Sequence, residues 1–112
     1  MDLDPREYLE TYLVLKILYQ KQKPLSIYEI QNRLAQKGFS LQFSSIYGLF
    51  HRLERKGMIV FKPTVFFRLL HSRGKARGLG KRVIKNPCIT PLGEKALEDI
   101  ENKLQILLNF TI

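Results

Sequence analysis

The sequence has a single cysteine, only two histidines and no long apolar run. Cys88 can form neither an intrachain disulfide nor a cysteine-based zinc site, so we expect a buried thiol in a strand. Two histidines are too few for a three-histidine metal site. Lys16, Lys62 and Arg68 interrupt the apolar runs well short of the roughly 20 residues that a membrane span needs, and no signal peptide opens the chain. We therefore expect a soluble, intracellular (cytoplasmic) protein that does not associate with a membrane.

The sequence also lacks the motifs of common enzymes. It contains no Walker loop, no HExxH, no GxSxG and no paired carboxylates in a plausible cleft. Gly78-Leu79-Gly80 precedes a strand and not a helix, which excludes a nucleotide-binding loop. We expect a protein without enzymatic activity, cofactor or metal.

Acidic residues are missing from a long internal segment. The 112 residues, 45% of them hydrophobic and 26% charged, are expected to form one globular domain, residues 1–112. No Asp or Glu lies between Glu54 and Glu94, whereas residues 55–93 contain ten Lys and Arg. Since the net charge is +9, the rest of the chain is close to neutral. A basic segment on a nearly neutral body is expected of a protein that binds nucleic-acid phosphates.

The stretch FSSIYGLFHRLERKGMI, residues 43–59, has the pattern of an amphipathic helix. Its apolar stripe is Ile46, Leu49, Phe50 and Leu53, and Gly57 suits the left-handed conformation that ends a helix. The residues on the opposite side of the helix are small, polar or basic. They fit a helix that binds nucleic acid, and they also fit an ordinary amphipathic helix with a solvated face, so the rest of the chain has to decide between the two. The predicted contacts of this recognition helix are Ser44, Ser45, Tyr47, Gly48, His51, Arg52 and Arg55.

Capping signals indicate two helices before the recognition helix. Asp4, Pro5 and Glu7 predict the start of a first helix over about residues 5–22. Ser26 and Glu29 form a capping box for a second helix over about residues 27–37. A short turn then leads into the recognition helix, about residues 43–56, so the two form a helix-turn-helix pair. The alternative is a plain three-helix bundle.

Residues 58–90 have the pattern of two strands that form a β-wing. Apolar residues alternate from Met58 to Leu70, and a second strand follows over about residues 82–90. The sequence HSRGKARGLGK between them, residues 71–81, predicts a flexible basic loop, with a plain solvated linker as the alternative. A bridge near Leu25 would add a third strand. The predicted wing contacts to nucleic acid are Arg68, Arg73, Lys75, Arg77, Lys81 and Arg82.

Thr90 and Pro91 begin a last helix over about residues 91–110. Apolar residues recur along it at the spacing of a coiled-coil seam, and the first helix is apolar almost all round. We predict that the two helices form the interface of a homodimer, and the alternative is that they pack against each other within one chain. The predicted interface residues are Tyr8, Tyr12, Leu97, Ile100, Leu104 and Leu107.

Two motifs resemble those of a known family. One lies in the recognition helix and the residues that follow, and the other lies where the wing meets the last helix. They are Tyr47, Phe50, Leu53, Gly57 and Ile59, and then Ile89, Thr90, Pro91 and Gly93. With them the sequence resembles winged-helix (winged helix-turn-helix) transcriptional regulators, most nearly the PadR type and more distantly the MarR type. Residues 62–87 make a longer wing than is usual in that family.

The resemblance implies an α+β fold with three helices, a two- or three-stranded wing and a C-terminal helix. It also implies sequence-specific binding of double-stranded DNA, with the recognition helix in the major groove and the basic wing on the backbone or in the minor groove. Two alternatives are an RNA-binding winged helix, which needs exposed aromatic residues for stacking, and a protein-interaction module, which needs an exposed apolar patch.

Overall fold

The computed structural model describes residues 5–72 and 75–110, and within them the side chains of residues 7–65, 80 and 83–110. Over the described residues the elements are α1 Pro5–Gln20, α2 Ile27–Gln36, α3 Phe43–Arg55, β1 Ile59–Ser72, β2 Lys75–Ile89 and α4 Pro91–Leu108. The predicted α+β class and order of elements are confirmed. None of the described helices has the length and apolar character that crossing a membrane requires.

The predicted caps of α2 and α4 are present. Ser26 Oγ accepts a hydrogen bond from the Glu29 amide at 3.2 Å, and Glu29 Oε1 accepts one from the Ser26 amide at 3.3 Å. At the start of α4, Thr90 Oγ1 accepts a hydrogen bond from the Gly93 amide at 3.1 Å. The predicted cap of α1, Asp4, lies outside the described residues, and α1 ends at Gln20, slightly earlier than predicted.

The core lies between α1, α2 and α3 and is closed by the first residues of β1 and by α4. The predicted stripe of α3 is fully buried in it, which confirms the amphipathic assignment. Leu25 is also buried and belongs to this core, and the sheet has two strands within the described residues, so the two-stranded form of the predicted wing is the one present. The core residues are Val14, Leu15, Leu18, Leu25, Ile30, Leu34, Ile46, Leu49, Phe50, Leu53, Met58, Ile59 and Leu97.

Gly57 connects the buried helix to the wing. Its φ of 75° is in the left-handed region, as the sequence predicts, and Met58 and Ile59 then enter the core. The chain continues as β1, which pairs with β2 in antiparallel register from Ile59↔Ile89 to Leu69↔Leu79. The wing, defined as β1 and β2, therefore begins in the core and leaves it.

The predicted flexible loop over residues 71–81 is wrong. Residues 71–72 belong to β1 and residues 75–81 to β2, with His71↔Ala76 and Ser72↔Lys75 still paired after a shift in register. Glycine, lysine and arginine have little preference for strands, but strand propensity depends on context, and pairing with the apolar strand opposite overrides it here. The wing is consequently an extended ribbon almost to its tip.

Contacts of Lys21, the residue that follows α1, hold the base of the wing. Lys21 Nζ donates a hydrogen bond to the Pro87 carbonyl at 2.9 Å and lies 3.3 Å from Cys88 Sγ. Across the ribbon, Asn86 Nδ2 donates to Thr64 Oγ1 at 2.6 Å. Cys88 lies in β2 as predicted, but its thiol is half-buried and not buried, and it contacts the Lys21 ammonium group.

α4 packs on α1 of the same chain. Lys16 Nζ forms an ion pair with Glu101 Oε1 at 3.2 Å, and Leu97 and Ile100 are buried. The sequence predicts these two residues at a dimer interface, but they are covered by the same chain. This agrees with the alternative prediction, in which the last helix packs on the first helix of its own chain. Leu104 is half-buried and Leu107 is 68% exposed, so the seam divides into a buried half and an exposed half.

Candidate nucleic-acid interface

Four of the predicted contact residues of α3 are exposed: Ser44, Ser45, Tyr47 and Arg55. We call them the polar stripe of α3. Ser44 and Ser45 lie in the first turn, which contains no acidic residue, and Gln42 at the cap makes no side-chain hydrogen bond to it. The partial positive charge at the start of the helix is therefore not neutralised by a side chain of that turn. The surface there can receive an anion.

Arg52 has a partner within the chain. Its Nε donates to Glu7 Oε1 at 2.7 Å, which joins α3 to α1. Gly48 lies beside it, since a Cβ at position 48 would be 3.4 Å from the Arg52 guanidinium. The sequence predicts both Arg52 and Gly48 as contacts to nucleic acid. In the structure the Arg52–Glu7 pair is instead a brace that fixes the angle of α3, so Arg52 is no longer expected to contact a base.

A double-mutant cycle with Glu7→Gln and Arg52→Gln tests this brace. The Arg52 and Glu7 side chains are 41% and 25% exposed, so solvent screens the pair and we expect a coupling energy of about 0.3 to 1 kcal/mol in urea unfolding. Glu7→Gln and Arg52→Gln should also weaken binding to a preferred duplex by about the same factor, because both act through the position of α3. A coupling energy of zero, or a loss of affinity with Arg52→Gln but none with Glu7→Gln, would contradict the assignment.

Aromatic rings form a continuous row along α3. Tyr28 of α2 stacks on Phe43 with 4.4 Å between ring centroids, and Phe43 is followed by Tyr47 at 5.9 Å. Tyr47 contacts the ring of His51 at 4.3 Å, and His51 contacts Phe61 of β1 at 5.7 Å. The row links α2, α3 and the wing, so the three elements hold a fixed relative position beside the polar stripe of α3.

Part of this row was open to prediction. Phe43, Tyr47 and His51 recur at intervals of four residues, which places them on one side of a helix. Tyr28 and Phe61 join the row only through tertiary packing, which the helical period does not predict. His51 was predicted as a contact to nucleic acid, and the structure places it between two rings with 42% of its side chain exposed.

A concave surface of about 360 Å³ lies between α3 and the base of the wing. His51 Nδ1 is 3.7 Å from Glu54 Oε1 there, an ion pair only when the imidazole is protonated. Lys62 of β1 and Lys85 of β2 are exposed next to this concave surface. Neither is among the contacts predicted from the sequence, although both belong to the segment without acidic residues. The lining residues are Ile27, Tyr47, His51, Glu54, Phe61 and Lys85.

The residues predicted as wing contacts to nucleic acid are not among those whose side chains the structure describes. The backbone places Arg68 opposite Gly80, Lys81 opposite Phe67 and Arg82 opposite Phe66. Lys75 and Arg77 lie in β2, and Arg73 is outside the described residues. These positions put five of the six predicted cations on the paired strands.

The remaining predicted interface residues lie on α1 and the end of α4. Tyr8 and Tyr12 are half-buried, with Tyr12 packed against the core.

Beyond Leu104, α4 exposes a group of large apolar side chains. They are Ile106, Leu107, Leu108 and, just after the helix, Phe110, each between 66% and 79% exposed.

The sequence matches no protein-family model and no curated protein. Solved structures do match. TA0346 of Thermoplasma acidophilum, a proposed transcriptional regulator, is 25% identical over 91% of this chain and 84% of its own, with a TM-score of 0.65. A PadR family transcriptional regulator of Eggerthella lenta is 24% identical over 90% of this chain and 81% of its own, with a TM-score of 0.60.

A third match is Bacillus subtilis PadR in complex with operator DNA. It is 23% identical, with a TM-score of 0.56, and the match covers 81% of this chain and 46% of that one. The chain has the winged-helix fold of PadR-like transcriptional regulators, which confirms the resemblance inferred from the two sequence motifs.

Proposed function

We propose that the protein is a transcriptional regulator that binds double-stranded DNA in a sequence-specific manner. The observation that carries this proposal is the exposed polar stripe of α3 beside a wing that has no acidic residue. We expect a regulator of this kind to act in the cytoplasm, without catalytic activity or a cofactor. The operator complex of Bacillus subtilis PadR, which shares the fold, supports the choice of DNA as the partner.

In the proposed complex the start of α3 enters the major groove. Ser44 and Ser45 are then near phosphates or base edges, Tyr47 follows along the helix, and Arg55 lies at the exit of the groove. The exposed Lys62 and Lys85 at the base of the wing face the neighbouring backbone. Phosphate contacts of this kind position the protein, and base contacts from α3 supply the specificity.

We also propose a homodimer that is formed through the apolar end of α4, together with Tyr8 and Tyr12 on α1. Four large apolar side chains at one helix end are costly to leave in water, and a second copy would cover them. A two-fold dimer sets two recognition helices about one DNA turn, roughly 34 Å, apart and requires a site with two-fold symmetry.

Leu107→Asp tests the dimer. Leu107 is 68% exposed, so the substitution leaves the core intact while it introduces a charge into the proposed interface. We expect sedimentation to show a dimer for the unchanged protein at tens of micromolar and a monomer for Leu107→Asp. Asn32→Asp, at an exposed position of α2 away from this interface, adds the same charge and is the matched control, which should remain dimeric. A monomeric unchanged protein, or equal masses for Leu107→Asp and Asn32→Asp, would contradict this interface.

A titration against duplex DNA, duplex RNA and single strands at two salt concentrations tests the proposed function. We expect the highest affinity for duplex DNA and a steep loss with salt, since each phosphate neutralised contributes about 0.9 to the slope of log K against log salt. Preference for RNA would favour the RNA-binding alternative, which exposed Tyr28 and Tyr47 would serve. Absence of binding would favour the protein-interaction alternative.

A further inference from the structure

A cavity of about 200 Å³ lies between α1, the end of α3 and α4. Much of its wall is aliphatic and is formed by Leu53, Met58, Ala96 and Ile100. Sites for small molecules usually have this form, an apolar cavity in which a few polar groups stand at fixed positions. The polar groups of this cavity therefore indicate what it can bind.

Two hydroxyl groups of α1 line this cavity and have no hydrogen-bond partner among the described residues. Thr11 is 3% exposed with its Oγ1 buried, and the Tyr8 hydroxyl oxygen is buried as well. Burying a hydroxyl without a hydrogen bond costs free energy, so most buried hydroxyls in proteins are paired. Because these two are three residues apart on one helix, they lie side by side and can donate to the same group.

The charged residues that line the cavity favour an anion. They are the half-buried Lys56, the exposed Lys103 and one acidic residue, Asp99. Two positive charges against one negative charge leave a formal balance of +1. A carboxylate fits this balance, and its two oxygens accept hydrogen bonds from two neighbouring hydroxyl groups without donating any.

The volume of the cavity limits the rest of the ligand. An apolar cavity of about 150 Å³ holds benzene, so about 200 Å³ has room for roughly eight non-hydrogen atoms. A carboxylate group uses three of them, which leaves roughly five for an apolar body. The aliphatic side chains of the wall would contact that body and remove it from water.

We propose that this cavity binds a small aliphatic monocarboxylate. The carboxylate accepts hydrogen bonds from the Tyr8 and Thr11 hydroxyl groups and lies near the Lys56 ammonium group, and the apolar body packs on Leu53 and Ile100. The residues that line the cavity are apart from the polar stripe of α3, so this inference does not depend on DNA binding.

Calorimetric titration of the whole chain with hexanoate, which has the size that the cavity allows, tests the proposal. We expect saturable binding of one hexanoate per chain with a Kd of about 1 mM or lower. Hexanamide has the same size but no charge, and it should bind at least about tenfold more weakly, because a charged acceptor forms stronger hydrogen bonds. Absence of saturable hexanoate binding, or equal affinity for hexanamide, would overturn the proposal.

Thr11→Val removes one of the two hydroxyl groups and keeps the shape of the side chain. We expect it to weaken hexanoate binding by about tenfold or more, since a hydrogen bond to a charged group is lost. The melting temperature should be unchanged or higher, because the Thr11 hydroxyl has no partner within the described chain. Tyr19→Phe removes a hydroxyl from an exposed position of α1 and is the matched control, which should keep its affinity.

Two lysine variants distinguish this cavity from another concave surface, which lies between α1 and α2 and is lined by Lys37. Lys56→Gln should weaken hexanoate binding by about tenfold, and Lys37→Gln should not change it. Loss of affinity with Lys37→Gln but not with Lys56→Gln, or unchanged affinity with Thr11→Val, would overturn the proposal. A clear fall in melting temperature with Thr11→Val would also contradict it, because the hydroxyl would then have a structural partner.

Discussion

Gly93→Ala is expected to destabilise the protein by about 3 kcal/mol or more, because the added methyl group meets backbone that cannot move away. A Cβ at position 93 would collide with the Met58 carbonyl and lie 2.8 Å from Ile89 Cγ1. The Met58 carbonyl is fixed by a hydrogen bond from the Thr90 amide at 3.0 Å. The start of α4 therefore packs directly on the turn that follows α3.

Gly48→Ala is the matched control, since Gly48 also lies within a helix. A Cβ there would meet only the end of the Arg52 side chain, at 3.4 Å, and that side chain can shift. Alanine favours a helix over glycine by up to about 1 kcal/mol, so Gly48→Ala should be neutral or stabilising. Urea unfolding measures both. A change of less than about 0.5 kcal/mol for Gly93→Ala would contradict the close packing at the start of α4.

Ser44→Glu is expected to lower affinity for duplex DNA by at least about tenfold while the fold is kept. A carboxylate in the first turn of a helix is favourable by about 0.3 to 1 kcal/mol, so α3 should be as stable as before or more so. The same carboxylate would face DNA phosphates in the proposed complex and repel them. Loss of binding together with an unchanged or higher melting temperature can then not be attributed to unfolding.

Asn102→Glu is the control for Ser44→Glu, because it adds the same charge at an exposed position of α4. It should leave DNA binding nearly unchanged, apart from a small effect of net charge. Equal loss of affinity in Ser44→Glu and Asn102→Glu would mean that only total charge matters, and α3 would not be the element that contacts the duplex.

Local sequence signals were sufficient to predict where the helices lie. The Ser26–Glu29 capping box and the Thr90 cap act within one turn, and the φ of Gly57 follows from the end of α3, so a short stretch of sequence contains all the information needed. The buried stripe of α3 was predictable for the same reason. A period of 3.6 residues needs no knowledge of the rest of the chain.

The features that the sequence did not reveal depend on distant residues. Arg52 on the polar face of α3 pairs with Glu7, which is 45 residues away. Strand structure in the basic, glycine-containing segment depends on pairing with the apolar strand β1. The seam of α4 predicted that a helix face would be covered, but its period alone could not decide whether α1 of the same chain or a second copy covers Leu97 and Ile100.

The most direct test of the proposed function is selection of preferred sites from a pool of random DNA duplexes. The proposal predicts an enriched motif with two inverted half-sites whose centres are about 10 base pairs, or roughly 34 Å, apart. The same selection with Ser44→Glu should enrich no motif. If the unchanged protein enriches no sequence while it still binds duplex DNA, sequence-specific reading by α3 is contradicted.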